Sequence, residues 1–341
     1  MESKSERKVK LDKWLREVCP EGITECQPLP ADASTREYFR VITPKNSYVA
    51  MNAPPPMDCH PYVAIAAALR DKGLDAPAVI AQDLENGFLL LTDFGDLTYL
   101  RFLAANYNAS AADDLYGRAL RAMSVMQSCV NVPGYTLPVF GREWLEQEWV
   151  WHQEWFLQKW LGLPTSVDAA VHDGYEKIML NILTQPQVFM HRDYHSANLM
   201  VLPDNRVGIL DFQDAFMGPL TYDLASLLRD CYIEWRPVMV EEWAGYYFSL
   251  LREQGLFDEV SDQTFMQWFD WMSIQRHIKA LMTFARKSVR DEDDRYLVHI
   301  PRTVNAIIKV SEQYPLLRAL TDYYANTVEP AVRKMNIVCE Q

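Results

Sequence analysis

The sequence predicts an α+β fold, in which a small β-rich lobe at the N-terminus is followed by a larger and mainly helical lobe. Short alternating strands fill most of residues 23–92, and long helical patterns fill most of the chain after Asp93. A chain of 341 residues is also too long for one compact core and fits two unequal lobes. We therefore predict an N-terminal lobe over residues 1–93 and a C-terminal lobe over residues 94–341.

The N-terminal lobe is predicted from alternation and from turn residues. Apolar and polar side chains alternate over residues 38–42, a Pro-Lys-Asn turn follows, and residues 47–51 form the return strand. Gly73 ends a stretch whose apolar residues recur with a helical period. The predicted elements are a helix over 10–19, strands over 38–42 and 47–51, a helix over 61–72, and strands over 77–83 and 87–92.

The C-terminal lobe is predicted to be helical apart from one β-rich interruption at residues 188–212. Its apolar residues recur at the three- and four-residue spacing that places them on one helix face. The predicted helices lie near residues 99–106, 111–128, 142–161, 169–183, 221–231, 240–254, 262–288 and 302–313.

Composition and charge exclude several kinds of protein. Apolar residues make up 49% of the chain and charged residues 23%, as in an ordinary globular protein. The net charge of -13 argues against nucleic-acid binding, which needs a basic face. The sequence lacks an apolar run long enough for a membrane span and a secretory signal, so we expect a cytoplasmic protein without a membrane partner. The six cysteines are scattered and are expected to be reduced thiols.

Residues 188–214 carry the chemistry that the sequence predicts. Asp193 lies in a loop after an apolar strand, Asn198 follows five positions later, and a second apolar run ends at Asp211. Phosphoryl transfer needs a group that orients the attacking hydroxyl and accepts its proton, which fits Asp193. Mg²⁺ prefers a few oxygen ligands and water, which fits Asn198 and Asp211. The protein-kinase pattern H-R-D-x-x-x-x-N followed by D-F-G also matches, with Gln213 in place of the glycine.

These residues predict a two-lobed, protein-kinase-like fold and an enzyme that uses ATP and Mg²⁺. His191 and His195 allow another interpretation, because a spacing of four would let both bind zinc on one helix face. The surrounding residues favour strand and loop instead, and no Glu lies between the two histidines as in a metalloprotease motif. We predict that both histidines support the loop around Asp193.

A second DFG-like sequence, Asp93-Phe94-Gly95, lies before Asp193, whereas the metal-binding Asp of kinases follows the catalytic loop. It comes directly after an apolar run, where a hinge between lobes is expected. Backbone groups there, flanked by Leu89 and Leu91, are predicted to contact the adenine of ATP. The metal ligand is therefore assigned to Asp211.

The string His191-x-Asp193-x-His195-x-x-Asn198-Leu199, followed by Gly208-Ile209-Leu210-Asp211-Phe212, resembles the aminoglycoside phosphotransferase and choline kinase superfamily. That superfamily shares the two-lobed kinase fold. The loop over residues 33–41 resembles its nucleotide-covering turn. The resemblance implies that four residues of this loop bind the cofactor: Ser34, Thr35, Arg36 and Arg40.

Flanking strings are more similar to one branch of that superfamily, the N-acetylmuramate/N-acetylglucosamine kinases of cell-wall recycling in Gram-negative bacteria. They lie at residues 82–84, 87–91, 142–143 and 211–232. Those enzymes phosphorylate the anomeric hydroxyl of the amino sugar. The resemblance covers residues 11–326 and implies a small-molecule amino-sugar acceptor.

The chain departs from the superfamily at the nucleotide clamp. Met51 stands on the return strand where a Lys or Arg normally contacts the phosphates, and the following helix lacks the Glu that would pair with that residue. We expect Arg36, Arg40 or Lys45 to contact the phosphates instead.

A tryptophan-rich segment, residues 144–160, is the first candidate acceptor site. On a helix its rings form two apolar stripes, which either pack on two sides or leave one or two rings to stack on a sugar. Arg229 and Arg236 form a second candidate, since a guanidinium matches the lactyl carboxylate of N-acetylmuramate, although both fit solvated surface positions equally well. The predicted substrate-binding residues are Arg142, Glu148, Trp155, Gln213, Arg229 and Glu234.

Three alternatives share parts of this pattern. An antibiotic phosphotransferase would present an acidic cleft to a polycation, and four glutamates between residues 143 and 154 leave that open. A choline-type kinase would use the same core. A non-catalytic nucleotide-binding protein is the alternative of another class, and the intact set of Asp193, Asn198 and Asp211 argues against it.

Overall fold

The computed structural model describes residues 4–30, 36–106, 108–335 and 337. The chain divides into two compact units. Unit 1 consists of Met1–Tyr107, Asn131–Leu137 and Ala197–Asp214, and unit 2 consists of Asn108–Val130, Pro138–Ser196 and Ala215–Gln341.

The helices of the described residues are α1 (Lys4–Val18), α2 (His60–Asp71), α3 (Tyr99–Ala105), α4 (Ala109–Met126), α5 (Arg142–Trp151), α6 (Ala169–Leu183), α7 (Tyr222–Leu228), α8 (Pro237–Glu253), α9 (Asp262–Asp291), α10 (Ile300–Ser311), α11 (Arg318–Tyr323) and α12 (Glu329–Lys334). The strands are β1 (Glu25–Pro28), β2 (Glu37–Ile42), β3 (Ser47–Asn52), β4 (Val79–Asp83), β5 (Phe88–Thr92), β6 (Gln187–Met190), β7 (Leu199–Val201), β8 (Val207–Ile209) and β9 (Phe216–Pro219). A π-helical segment, His152–Trp160, continues α5, and another, Tyr324–Val328, joins α11 to α12.

Unit 1 is built on a five-stranded antiparallel sheet in the order β1-β2-β3-β5-β4. Helix α1 covers one face, where Leu11 and Leu15 pack against Val41, Ala50, Phe88 and Leu90. Because side chains alternate along a strand, Leu89 and Leu91 point to the opposite face. The helix begins at Lys4, before the predicted residue 10, because the Lys, Glu and Arg residues there favour helix strongly.

The predicted β-rich stretch at residues 188–212 forms two separate ladders, one in each unit. In unit 2, β6 pairs with β9. In unit 1, β7 and β8 form a hairpin. The backbone N–H of Ile209 donates to the Asp75 carbonyl (2.8 Å) and that of Val201 to the Leu97 carbonyl (2.9 Å). These bonds fix the hairpin within unit 1.

Unit 2 is mainly helical, and its central element is the 30-residue helix α9. Helices α6, α7 and α10 and the first π-helical segment pack against it. The Ser261 hydroxyl caps its N-terminus by accepting from the Thr264 backbone N–H (3.1 Å). No helix of the described residues combines the length and apolar character that crossing a membrane requires.

The two apolar stripes of the tryptophan-rich helix differ in how deeply they are buried. Leu145, Trp149, Phe156 and Trp160 are all buried, whereas the rings of the other stripe are half-exposed. Packing therefore accounts for one stripe. Of the two stripes, the one formed by Trp144, Trp151 and Trp155 is exposed enough to contact a ligand.

Candidate active site

The loop after β6 holds Asp193 through contacts of its backbone. The fully buried carboxylate of Asp223, in the first turn of α7, accepts from the backbone N–H of His191 (2.7 Å) and of Arg192 (3.0 Å). Asp223 therefore braces the loop. Arg192 has a φ of 78°, a left-handed conformation uncommon for a non-glycine residue, and its guanidinium lies 4.7 Å from the centre of the Phe216 ring.

The predicted supporting histidines both lie in this loop. His191 is buried, and its Nδ1 accepts from the backbone N–H of Asp193 (3.3 Å). The His195 ring meets the Tyr232 ring edge-on, with 5.6 Å between centroids. These contacts agree with a supporting role, because one histidine holds the backbone of the loop and the other packs beside it.

Asp193 itself faces a group of cations. Its side chain is 42% exposed, and Arg276 Nη2 lies 4.0 Å from its Oδ1. Partial burial by itself would raise the pKa of Asp193, but the charges of Lys279, Arg276, His195 and Arg192 hold that pKa below its ordinary value. At neutral pH Asp193 is therefore a carboxylate, which can accept a hydrogen bond from a hydroxyl.

Tyr222 holds the two α9 cations in place. Its buried hydroxyl oxygen accepts from Arg276 Nη1 (2.5 Å) and from Lys279 Nζ (3.0 Å). The Arg276 guanidinium also lies 4.4 Å from the centre of the Tyr222 ring. The sequence-based prediction missed both cations. The available signal was the absence of Asp and Glu over residues 276–290.

The two predicted metal ligands lie together in unit 1. Asn198 Nδ2 donates to Asp211 Oδ2 at 3.3 Å, and the backbone N–H of Leu210 donates to the Asn198 carbonyl (3.0 Å). Asp211 has a φ of 64°. Strained backbone of this kind concentrates at functional sites. Gln213, predicted to bind substrate, donates from Nε2 to Asp211 Oδ1 (2.8 Å) and orients that carboxylate.

The oxygens of Asn198 and Asp211 suit Mg²⁺, which proteins hold through one or two side chains together with phosphates and water. Within the described ranges, no cluster of three or more His, Cys, Asp or Glu residues could hold a metal ion. The predicted zinc alternative at His191 and His195 therefore lacks a complete ligand set among those residue types.

The predicted phosphate-contacting arginines differ in their surroundings. The Arg40 guanidinium donates to Asp93 Oδ2 (2.7 Å) and to Asp96 Oδ2 (2.8 Å). Arg36 Nη1 lies 3.8 Å from Asp214 Oδ2, three residues after the predicted metal ligand Asp211.

Tyr38 lies in β2, two residues after Arg36. Burial raises the pKa of Tyr38 to about 12, with Arg36 and Asp211 as opposing charges near its ring. The contact with Asp214 places Arg36 beside the loop that carries Asp211, whereas Asp93 and Asp96 pair with Arg40.

The structure describes some of the remaining residues predicted to bind the nucleotide, but not all of them. Leu89 and Leu91 are buried in β5, and Lys45 is exposed in the turn between β2 and β3. Met51 is buried opposite Tyr38 and Leu89 in the sheet. Ser34 and Thr35 lie outside the described residues.

Most of the predicted substrate-binding residues of unit 2 pair with charged side chains of the protein, each with a different partner. Arg142 pairs with Glu176 (2.8 Å), Arg229 pairs with Asp270 (2.5 Å), and the exposed Glu234 lies 4.0 Å from Lys309. Trp155 is half-exposed, and Lys159 Nζ lies 3.5 Å from its ring centre.

Glu148 is buried and accepts from Gln275 Nε2 on α9. This placement favours packing over substrate contact.

Comparison with protein families gives a match to the phosphotransferase enzyme family over residues 25–257. The chain is similar to N-acetylmuramate/N-acetylglucosamine kinase of Pseudomonas aeruginosa, at 35% identity over 94% of this chain and 97% of the relative. It is also similar to the proteins of the same name from Neisseria meningitidis, at 36% identity over 95% and 96% of the two chains, and Pseudomonas putida, at 38% identity over 86% of each.

Solved structures show the same fold at low sequence identity. The choline kinase of Streptococcus pneumoniae matches with a TM-score of 0.58 and 13% identity, over 88% of this chain and 99% of that one. An ADP-bound aminoglycoside phosphotransferase matches with a TM-score of 0.58 and 15% identity, over 94% and 99%. The predicted two-lobed fold class is confirmed by these matches.

Proposed function

Because this chain belongs to the phosphotransferase enzyme family, we propose that it transfers the γ-phosphoryl group of ATP to the anomeric hydroxyl of N-acetylmuramate or N-acetylglucosamine. The observation that carries the proposal is that Asp193 is an ionised carboxylate on a loop whose backbone Asp223 fixes. The chain is also similar over most of its length to kinases named for these two sugars. Recycling of cell-wall sugars is the setting that the sequence resemblance implies.

Asp193 acts on the acceptor. Its carboxylate accepts a hydrogen bond from the hydroxyl, directs an oxygen lone pair at the γ-phosphorus and takes the proton as the new O–P bond forms. The bond between the γ-phosphorus and the bridging oxygen breaks, and ADP leaves with the electron pair. An anomeric hydroxyl is more acidic than an ordinary alcohol, because the ring oxygen withdraws electrons. The weakly basic carboxylate of Asp193 takes the proton late, once the forming O–P bond has made the attacking oxygen more acidic.

Asn198 and Asp211 would hold Mg²⁺, which neutralises phosphate charge when bound. Gln213 keeps the Asp211 carboxylate oriented through its 2.8 Å hydrogen bond. We assign the nucleotide-covering role to residues 1–93 and the phosphate contact to Arg36, which lies beside Asp214. Arg40 is less suited to that contact, since Asp93 and Asp96 already bind its guanidinium.

An antibiotic acceptor is less well supported. Aminoglycosides are polycations, and Arg276 and Lys279 place two positive charges beside Asp193. Those charges would repel a cationic acceptor at the point where its hydroxyl must bind. An uncharged or anionic sugar meets no such repulsion.

The test incubates the protein with ATP, Mg²⁺ and each of four acceptors: N-acetylmuramate, N-acetylglucosamine, kanamycin and choline. Phosphorus NMR of the product is expected to place phosphate on the anomeric carbon of an amino sugar. The Asp193→Asn variant should lose about 100-fold or more in kcat while it still binds ATP. Turnover of kanamycin or choline alone would contradict the proposed acceptor, and near-normal turnover by Asp193→Asn would contradict the role of Asp193.

A further inference from the structure

Helix α9 carries a basic stretch that contrasts with the acidic chain. In a protein of net charge -13, residues 276–290 contain no Asp or Glu and five basic residues, which are Arg276, Lys279, Arg286, Lys287 and Arg290. Cations interact favourably with a helix C-terminus only in its last turn. Arg276 and Lys279 lie about three to four turns before the end of α9, so the helix itself does not account for them.

The charges near the end of α9 have local partners. Arg290 Nε lies 2.6 Å from Asp291 Oδ1, and Lys287 Nζ lies 3.9 Å from the centre of the Tyr296 ring. Among the described residues, by contrast, Arg276 forms an ion pair with Asp193 alone, and Lys279 forms none. Two cations thus share one carboxylate, which leaves an excess of positive charge beside Asp193.

A third cation approaches from α10. Arg302 is the third residue of that helix, where a positive charge opposes the helix dipole and costs stability. Its Nη2 is buried and has no hydrogen-bond partner within residues 4–30, 36–106, 108–335 and 337. Burial lowers the pKa of His277, and the charges of Arg229, Arg276 and Arg302 lower it further.

An aromatic surface connects Arg302 with the catalytic loop. The half-exposed Tyr232 ring stands edge-on to His195 (5.6 Å between centroids) and to His299 (5.2 Å). His195 lies two residues after Asp193, and His299 lies three residues before Arg302. A sugar ring bound beside Tyr232 would lie next to the catalytic loop and to the start of α10.

We propose that Arg276, Lys279 and Arg302 form an anion subsite beside Asp193 that binds the carboxylate of the acceptor. This inference rests on the proposed function and names the acceptor class within it. N-acetylmuramate carries a carboxylate on its lactyl ether, and N-acetylglucosamine lacks one, so the subsite makes N-acetylmuramate the preferred acceptor. Guanidinium and ammonium groups are the side chains that bind carboxylates through charge-assisted hydrogen bonds.

The sequence-based candidate for this carboxylate, Arg229, is less suited to it. Arg229 Nη2 donates to Asp270 Oδ1 (2.5 Å), and its guanidinium lies 4.4 Å from the centre of the Phe269 ring. Its charge is therefore already neutralised inside unit 2. Lys279 has no such carboxylate partner among the described residues.

The test measures both sugars with the wild-type protein and three variants at saturating ATP and Mg²⁺. Lys279→Met and Arg302→Met each remove a charge and keep a long apolar chain. Arg290→Met, on the same helix and paired with Asp291, is the matched control. Each of the first two variants should raise the KM for N-acetylmuramate about 10- to 100-fold more than it raises the KM for N-acetylglucosamine, as expected for the loss of a hydrogen bond to a charged group. The control should change neither value.

The outcomes separate this inference from the proposed function. A wild-type protein that phosphorylates neither sugar would overturn the function and the subsite together. A wild-type protein that phosphorylates both, with variants that lose equally on both sugars or on neither, would overturn the subsite alone. Added salt provides a second measurement, because screening should raise the KM for N-acetylmuramate more than that for N-acetylglucosamine. Equal salt dependence of the two would count against the subsite.

Discussion

Asp223→Asn should loosen the catalytic loop without removing a reacting group. The buried Asp223 carboxylate accepts from two backbone N–H groups, those of His191 (2.7 Å) and Arg192 (3.0 Å). Asparagine keeps one acceptor oxygen and presents an NH₂ group to the other backbone N–H. One of the two buried donors therefore loses its partner.

The magnitude follows from that lost partner. Leaving a buried donor unsatisfied costs about 1–3 kcal/mol, so the free energy of unfolding should fall by about that amount. Arg192, whose φ of 78° persists only while its surroundings hold it, is the residue expected to relax. Relaxation there moves Asp193, and a misplacement of about 1 Å in a catalytic group costs on the order of 100-fold in rate. We expect kcat to fall about 10- to 100-fold, with the KM for ATP nearly unchanged.

Urea unfolding followed by tryptophan fluorescence, together with steady-state kinetics, measures both effects. Asp322→Asn is the control, because Asp322 pairs with Arg318 on the exposed surface and should change neither quantity. An Asp223→Asn protein with wild-type stability and wild-type kcat would refute the assigned bracing role. A loss of stability with unchanged kcat would refute the link from Asp223 to Asp193.

The same variant has a pH signature. Burial raises the pKa of Asp223 to about 7, although the two backbone N–H groups oppose this rise. Between about pH 4 and 7 the unfolded chain has lost the Asp223 proton while the folded protein retains it, so the contribution of this group to stability falls as pH rises. Asparagine does not titrate. The stability difference between wild type and Asp223→Asn should therefore be largest near about pH 4 and shrink toward about pH 7.

Three further predictions concern other titratable or charged side chains. Arg36→Met should weaken ATP binding about 10-fold, whereas Arg40→Met should mainly lower stability; ATP titration and urea unfolding of both variants check this, and equal loss of affinity would contradict it. Burial by itself would raise the pKa of Asp93, but hydrogen bonds from Arg40, Ser47 and the Gly95 backbone N–H hold it below its ordinary value. The contribution of the Arg40–Asp93 pair to stability should therefore fade as pH drops below about 4. Burial lowers the pKa of His152 to about 3, so stability should fall as pH drops from about 6.5, and a His152→Gln variant with an unchanged slope would contradict this.

Local patterns in the sequence predicted much of the fold and the chemistry of the catalytic loop. Alternation predicted β2 and β3, and the helical period predicted the buried stripe that includes Trp149 and Phe156. These features depend on residues that lie close together in sequence, where spacing determines geometry.

Features that depend on distant residues were not predictable in the same way. Glu148 accepts from Gln275, 127 residues later, so a residue predicted to bind substrate lies in the core instead. Arg276 and Asp193 are 83 residues apart in the sequence, and no periodicity connects them. A sequence pattern indicates which face of a helix is buried, but it does not identify the residue that the face meets.

A basic residue that already pairs with a carboxylate of the protein is less able to bind an anionic ligand, and the sequence alone does not reveal such pairs. Arg40 and Arg229 were both predicted to contact charged groups of substrates, yet each donates to a carboxylate of its own unit. Binding a phosphate or an acceptor there would require that internal pair to break, which removes most of the gain in free energy. Lys279 was predicted for no role, but it lies near Asp193 and forms no ion pair among the described residues. Because an anion at Lys279 displaces no partner carboxylate, acceptor selectivity should depend more on Lys279 than on Arg229.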